Sequence, residues 1–363
     1  MLRILFLFNA VPARERRGPY SDCLSWDTIH MIYRALLEGG NEVFPVNVHS
    51  RWQLEKTLGR LPNPHLAFTL AEGYLDEPTS LYDGSGAAAV RHFLQGHDIP
   101  ASHSSVAAME ICRHKHLTYR VLQQAGLPVP PHRLVVPPRE SLPQQLDGII
   151  EEIGFPMFVK PDGGGNSIGI GPDSVVFSLA QLEHRVRMLQ NTLGELPVLV
   201  EKYLPGQEYT VGLIGCAPGY VLPALGFLSR EVRTTAVKGL SNETEFIFPE
   251  DSLYYFLAAL AGKILAVIGG KDALRVDLRA GSEGELYIID VNGTPSLSPR
   301  ASLTTMATAA GLNYNQFVNL ILYQSLLEYG LAPGGKLQDL IAPVLMLLDP
   351  YNQDRPPARV SSA

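Results

Sequence analysis

The sequence predicts an α/β unit followed by a larger α+β unit. Three observations carry this expectation: an apolar strand-like run at the start, strand and helix patterns alternating through the first hundred residues, and four strand-like runs bunched between residues 155 and 225 around one helical stretch. With 363 residues, 46% hydrophobic and 18% charged, the chain can build two or three cores and is neither disordered nor fibrous.

In order, Leu2 to Phe8 reads as a buried strand, Arg14 to Asp22 as a polar loop, and Thr28 to Leu37 as a helix. Glu42 to Val48 and Leu66 to Leu70 read as further strands and Gly84 to Gln95 as a helix, which places a boundary near residue 100. Ala107 to Ala125 has helical spacing and ends at Gly126 and Pro128, where glycine caps and proline blocks continuation. Strands follow at Pro156 to Pro161, Pro197 to Tyr203, Glu208 to Gly215 and Tyr220 to Gly226, with a helix over Leu179 to Leu193. The polar stretch Arg230 to Glu250 is longer than an ordinary connection and reads as a lid or binding loop. Tyr254 to Ile268 and Asn315 to Tyr329 are helical, and Ala273 to Ala280 and Glu285 to Asn292 form a hairpin around Gly281 to Gly284. Phe317, Leu320, Ile321 and Leu326 are the core face of the last of these helices. The tail Asn352 to Ala363, rich in Pro, Arg and Ser, is expected to fray.

A net charge of −7 argues against nucleic acid as a partner, because phosphate neutralisation needs a basic stripe. The opening apolar run lacks a cleavage site and is too short to span a bilayer, so no membrane association is expected. Cys23, Cys112 and Cys216 are widely separated, which suits a reducing, cytoplasmic setting and offers no zinc site. The partners are therefore expected to be small molecules.

Three segments carry chemistry. On the strand Leu274 to Arg279, alternation puts Arg275, Asp277 and Arg279 on one face, and on its partner Ile288, Asp290 and Asn292 share a face. Pairing across the hairpin brings two carboxylates, an amide and a guanidinium together, a set suited to magnesium and substrate phosphates; the bland alternative is an Arg-Asp pair on an exposed sheet. Met157 to Lys160 is a strand ending in lysine, followed by the glycine loop Asp162 to Gly169. This loop fits neither the P-loop nor the dinucleotide pattern, and a structural turn is its bland reading. Glu201 and Glu208 flank a Pro-Gly turn, suited to adenine and ribose or else to a solvated hairpin. The histidines show no metal spacing: His114 and His116 flank Lys115, and His103 and His132 read as satisfied surface or cap residues.

Taken in order, His114-Lys115, Gly126 to Pro130, Phe155 to Ile170, Val198 to Val211 and Arg275 to Ser298 resemble the ATP-grasp module of D-alanine-D-alanine ligases. The resemblance implies an ATP-grasp fold with ATP between central and C-terminal subdomains, preceded by a Rossmann-like domain. It divides the chain into 1–100, 101–195, 196–335 and a partly frayed extension, 336–363. Lys115, Lys160 and Lys238 are then implied phosphate contacts, with Gly165, Asn166, Ser167 and Gly169 as a closing loop. Glu201 and the main chain of Lys202, Tyr203 and Leu204 would hold adenine, and Glu208 the ribose. Asp277, Asp290 and Asn292 match the ligands of two magnesium ions, for which manganese can substitute, and Arg275 matches the arginine that steadies an oxyanion. Arg275, Lys238 and Ser167 are the implied catalytic groups. The implied reaction joins a carboxylate to an amine through an acyl phosphate, and the family also implies a homodimer.

The departures cluster where substrate is chosen. Residues 14 to 26 lack the glycine-rich segment with its ammonium-holding glutamate, Asp290 stands where the family commonly has glutamate, and Ser296 replaces a glycine. Glu72, Ser296 and Ser302 are the remaining substrate candidates. Two alternatives follow: a natural-product ligase joining an amino acid to another carboxylate or a ketone, as in mycosporine pathways, and a retired nucleotide-binding regulator. A carboxylase-type component is disfavoured because no biotin-carrier segment is visible.

Overall fold

The computed structural model describes residues 1–137, 142–165, 167–194, 196–217, 219–228 and 246–348. Strand β1 (Arg3–Phe8) lies between β2 (Glu42–Asn47) and β3 (Leu66–Thr69) in a three-stranded parallel sheet. From Ile4 to Phe8 its sequence is apolar without a break because both faces are covered. Ile4, Phe6 and Phe8 face one core, and Leu5 and Leu7 another, which also holds Leu54 and Val90 from helices α2 (Arg51–Leu58) and α3 (Gly86–Gln95). Helix α1 (Trp26–Glu38) is capped by Ser25, whose Oγ accepts from the Thr28 amide at 3.2 Å.

The single helix expected over Ala107 to Ala125 is two, α4 (Val106–Arg113) and α5 (Lys115–Gln124). His114 between them has φ −117° and ψ 106°, an extended conformation that interrupts the helical hydrogen bonds.

A four-stranded antiparallel sheet follows in the order β4-β7-β5-β6, from β4 (His132–Val135), β5 (Met157–Pro161), β6 (Val175–Val176) and β7 (Val198–Lys202). Helices α6 (Leu142–Ile153) and α7 (Leu179–Leu193) bury one face of it with Leu146, Ile149, Leu182 and Val186. The next sheet runs β11-β10-β8-β12-β13, with β9 (Tyr220–Val221) also on β8 (Glu208–Ile214). Its remaining strands are β10 (Leu225–Phe227), β11 (Phe246–Ile247), β12 (Ala273–Ala280) and β13 (Leu286–Asn292). Glu201 and Glu208 therefore belong to two different sheets, and the solvated-hairpin alternative is overturned: both are buried.

Helix α8 (Asp251–Ile268) is long and apolar enough to cross a bilayer by composition. Leu257, Leu260, Ala261, Ile264, Leu265 and Ile268 recur at helical spacing and pack with Leu274, Val276 and Leu278 of β12. Helices α9 (Ser302–Ala309), α10 (Tyr314–Glu328) and α11 (Gly335–Leu348) return to the N-terminal sheet, where Phe317, Ile321, Leu337 and Ile341 share one core with Ile4, Phe6 and Ile32. The segment expected to begin a partly frayed extension at residue 336 is thus helical up to Leu348, with Leu337, Ile341, Val344 and Leu348 buried; Asn352 to Ala363 lie outside the described residues. His103, expected at the surface or at a cap, is fully buried. Its Nδ1 lies 2.8 Å from Ser102 Oγ, and its amide donates to Asp272 Oδ2 at 2.7 Å.

Candidate active site

The three units meet around one cavity of about 1440 Å³. All of the site residues expected from sequence that are described line it; Asn166 and Lys238 lie outside the described residues.

One wall is the β12-β13 hairpin. Asp277 stands opposite Asp290, and Arg275 opposite Asn292. Between Asp277 and Leu278 the register shifts, so Ile289 is an extra residue in β13. The bulge corrects the alternation expected for β13: Ile288 turns into the core, while Ile289 and Asp290 both line the cavity. Arg275 grips Asp277 with two bonds, Nε to Oδ1 at 2.9 Å and a terminal nitrogen to Oδ2 at 2.8 Å. Thr210, opposite Asp277 on β8, donates to Oδ1 at 2.6 Å. Burial disfavours the charge on Arg275, but the attraction and hydrogen bonds of Asp277 outweigh it and raise the guanidinium pKa.

The opposite wall is cationic. Lys115 opens α5 beside Asp290, with Nζ 3.9 Å from Oδ1 and 3.2 Å from the Gly164 carbonyl. Burial lowers its pKa against the opposing pull of Asp290. Lys160, pointing from β5, lies 2.8 Å from Glu201 Oε1, 3.2 Å from the Tyr119 hydroxyl and 3.3 Å from the Ile289 carbonyl. That carbonyl belongs to the bulge residue, which the ladder leaves unpaired, and the Tyr119 hydroxyl lies 3.0 Å from it. Tyr119 Oη also meets Glu201 Oε2 at 2.8 Å. Sequence reasoning missed Tyr119, because nothing in a helix face marks which residue reaches across two sheets.

Farther along, Glu208 lies 3.3 Å from Arg279, whose Nε donates to the Leu204 carbonyl at 2.7 Å. Arg279 thereby ties the Lys202 to Leu204 segment to Glu208; its place on the Asp277 face was its only sequence signal. Phe158, Leu204 and Phe227 give this end apolar walls.

The glycine loop needs its composition. A Cβ on Gly164, which has φ +81°, would meet the Tyr82 carbonyl at 2.8 Å, and one on Gly165 would meet Asp22 Oδ2 at 2.6 Å. Arg185 of α7, also missed, bonds the Gly169 carbonyl and meets Asp173 at 2.6 Å, anchoring the loop's far end. Glu72 is ion-paired to Arg113 at 3.1 Å, with Asp22 3.9 Å from the same guanidinium. Ser296 and Ser302 line the cavity from the loop after β13 and the start of α9.

No group of three or more His, Cys, Asp or Glu side chains suited to a metal occurs among the described residues. Asp277, Asp290 and the Asn292 amide instead form an oxygen-only set, which fits magnesium when phosphates and water complete its shell.

Comparison with known proteins identifies the family. A family profile for the D-ala D-ala ligase C-terminus matches residues 121–323. The chain belongs to the D-alanine-D-alanine ligase family. It is 27% identical over 334 residues to D-alanine-D-alanine ligase B of Pseudomonas syringae pv. tomato, covering 90% of this chain and 94% of that one. To the D-alanine-D-alanine ligase of Marinobacter nauticus it is 30% identical over 236 residues, covering 63% and 68%. The crystal structure of the Bacillus anthracis D-alanine-D-alanine ligase complexed with ATP superimposes with a TM-score of 0.68 at 20% identity, over 91% of this chain and 99% of that one. The fold is therefore the ATP-grasp fold, and the chain is an ATP-dependent, ADP-forming ligase of carbon-nitrogen bonds.

Proposed function

We propose that this family member is a magnesium-dependent carboxylate-amine ligase that makes an amide through an acyl phosphate, acting in the cytoplasm on amino-acid substrates. The observation that carries the reading is the convergence, across 3.9 Å, of Lys115 with Asp290 on the wall where Asp277 opposes Asp290 and Arg275 grips Asp277. Asp277, Asp290 and Asn292 would hold two magnesium ions, which would neutralise charge on the phosphates. Phe158, Leu204 and Phe227 line the end of the cavity where adenine would pack, with Glu201 and the main chain from Lys202 to Leu204 as its polar partners, and Glu208 would take the ribose. Lys115, Lys160 and the loop of Gly165, Ser167 and Gly169 hold the phosphates, with Asn166 and Lys238 assigned to the same task. Three free cysteines suit the reducing compartment.

The γ-phosphoryl group passes from ATP to a substrate carboxylate oxygen; the P-O bond to the β-phosphate breaks, a new P-O bond to the carboxylate forms, and ADP leaves. An amine nitrogen then attacks the carbonyl carbon and loses its proton, and the C-O bond to phosphate breaks. Arg275 faces the oxygen on which charge develops. No nucleophilic side chain is needed, because positioning and charge neutralisation supply the acceleration.

A second reading, joining an amino acid to a non-alanine carboxylate or a ketone acceptor, is favoured by the ion pair between Glu72 and Arg113, which commits that carboxylate at the N-terminal side of the cavity. The test is ATP-dependent phosphate release with magnesium over a panel of D- and L-amino acids, singly and in pairs, with Asp290→Ala as control. Release with D-alanine and a dipeptide product establishes the D-alanine reading. Release with another amine or acceptor establishes the second. ATP binding without release under any condition promotes the reading of a retired nucleotide-binding regulator over both.

A further inference from the structure

Asp162 is the first residue after the β5 strand and opens the glycine loop, yet its side chain points away from the cavity centre toward the start of α5. It is 1% exposed. Oδ1 accepts from the His116 amide at 2.8 Å, and Oδ2 meets His116 Nδ1 at 2.6 Å and His114 Nδ1 at 3.5 Å. Its own carbonyl accepts from the Lys115 amide at 3.1 Å, and its amide donates to the Pro197 carbonyl at 3.0 Å.

These bonds replace a missing local cap. Helix α5 begins without any side-chain cap from His114, the residue that precedes it. An uncapped first turn leaves amide donors without partners, and here a residue 46 positions along the chain supplies the acceptors. Lys115 is the first residue of that helix, so the cap fixes where its side chain leaves the backbone. The Lys115 ammonium then returns to the same loop, at the Gly164 carbonyl. Both ends of Lys115 are thus referenced to the glycine loop, one through Asp162 and one through Gly164. Burial alone would raise the Asp162 pKa; hydrogen bonds from His114, His116 and the His116 amide outweigh it and hold the carboxyl well below the usual range. The ionised form is the one that can accept from both the amide and the imidazole.

We infer that Asp162, clamped by His116, is a positioning residue for Lys115 that couples the glycine loop to the placement of the phosphate-binding lysine. The inference rests on the reading of Lys115 given above. The positions of Lys115 and of Asp162 and Gly164 are then set together, and ATP affinity depends on a carboxylate outside the cavity lining.

The experiment is a double-mutant cycle on the full chain, reading ATP affinity by calorimetry alongside KM for ATP, KM for the amino acids and kcat. Asp162→Ala is expected to weaken ATP binding and raise its KM roughly tenfold, the loss of one charge-assisted cap. The amino-acid KM values stay within about twofold. Asp162→Asn, which keeps the acceptor for the His116 amide but not for its ring, recovers part of the loss. In a Lys115→Ala background, Asp162→Ala has no further effect on ATP. Additive losses in the cycle overturn the inference, as does an Asp162→Ala protein with reduced thermal stability and unchanged ATP affinity. If Asp162→Ala does not fold, His116→Ala serves: it keeps the cap, loses the clamp, and must shift ATP affinity in the same direction. A Lys115→Ala protein that binds ATP normally overturns the functional reading of Lys115 instead, which separates the two failures.

Discussion

Lys160 Nζ lies 2.8 Å from Glu201 Oε1, on neighbouring strands, with both side chains only 5% exposed. Such a pair is fragile to the loss of one member, because the survivor is left charged where little water reaches it. Glu201→Ala is expected to reduce the unfolding free energy by about 3–5 kcal/mol. The double variant Lys160→Met, Glu201→Leu recovers most of it while still failing to bind ATP. Urea unfolding of the three proteins is the measurement, and a double variant as unstable as the single one would show that the unpaired charge is not the source.

Tyr119 sits between the pair and the bulge, with its hydroxyl within 3.2 Å of Lys160, Glu201 and the Ile289 carbonyl. Tyr119→Phe removes that junction without changing the packed volume. A stability loss of about 1–2 kcal/mol is expected, with KM for ATP raised more than kcat is lowered. Steady-state kinetics against ATP and against amino acid separate this outcome from general damage.

Asp290 and Asp277 face each other but are held differently. Asp290 is 31% exposed and only approached by Lys115, whereas Asp277 takes both bonds of Arg275. Asp290→Asn is therefore expected to cut turnover at least ~100-fold with little change in the unfolding midpoint. Asp277→Asn lowers both, because it also breaks a bidentate charge pair. Arg275→Lys fails as a replacement, since an ammonium cannot reproduce that fork. Turnover and urea midpoint, measured on the same preparations, check all three.

The buried pair of His103 and Asp272 makes a statement about pH. Burial lowers the His103 pKa to about 3 and raises that of Asp272 to about 6. Between pH 3 and 6.5 the unfolded chain protonates His103 and the folded one does not, so this group costs stability as pH falls. Between pH 3.8 and 6 the folded chain keeps a proton on Asp272 that the unfolded chain has lost, so this group contributes stability as pH falls. The two oppose each other over the shared window. Asp272→Asn keeps an acceptor for the His103 amide but removes the compensation, and stability should then fall by about 1.4 kcal/mol per pH unit from pH 6 to 4. Denaturant midpoints at half-unit steps measure the slope; identical slopes in both proteins would contradict the opposed titrations.

Much of the fold was legible from local pattern. The run from Leu2 to Phe8 read as a buried strand and is one from Arg3 to Phe8, and the spacing of Phe317, Leu320, Ile321 and Leu326 did mark a core face, since all four are buried. The hairpin carrying Asp277 and Asp290 was legible because its two strands are joined by a short turn, so register follows from chain length. The bulge at Ile289 was not. Alternation implied Ile288 beside Asp290, and only the packing of Ile288 against Val276 and Leu278 decides where the extra residue falls.

By itself the sequence determined the kinds of chemistry available: acids across a hairpin, lysines at the ends of a strand and a helix, and glycines where a loop must come close to other backbone. Those are properties of short segments, set by alternation, turn length and the absence of a Cβ. Tertiary structure alone decided the pairings: Lys160 with Glu201, Arg279 with Glu208, Glu72 with Arg113, and Asp162 with the first turn of α5. It also split the expected helix at His114, because the acceptor that caps the second half comes from 46 residues away. The physical reason is the same in each case. A side chain's charge and size are written locally, but the group that satisfies it in a buried site is chosen by which segments the hydrophobic cores bring together.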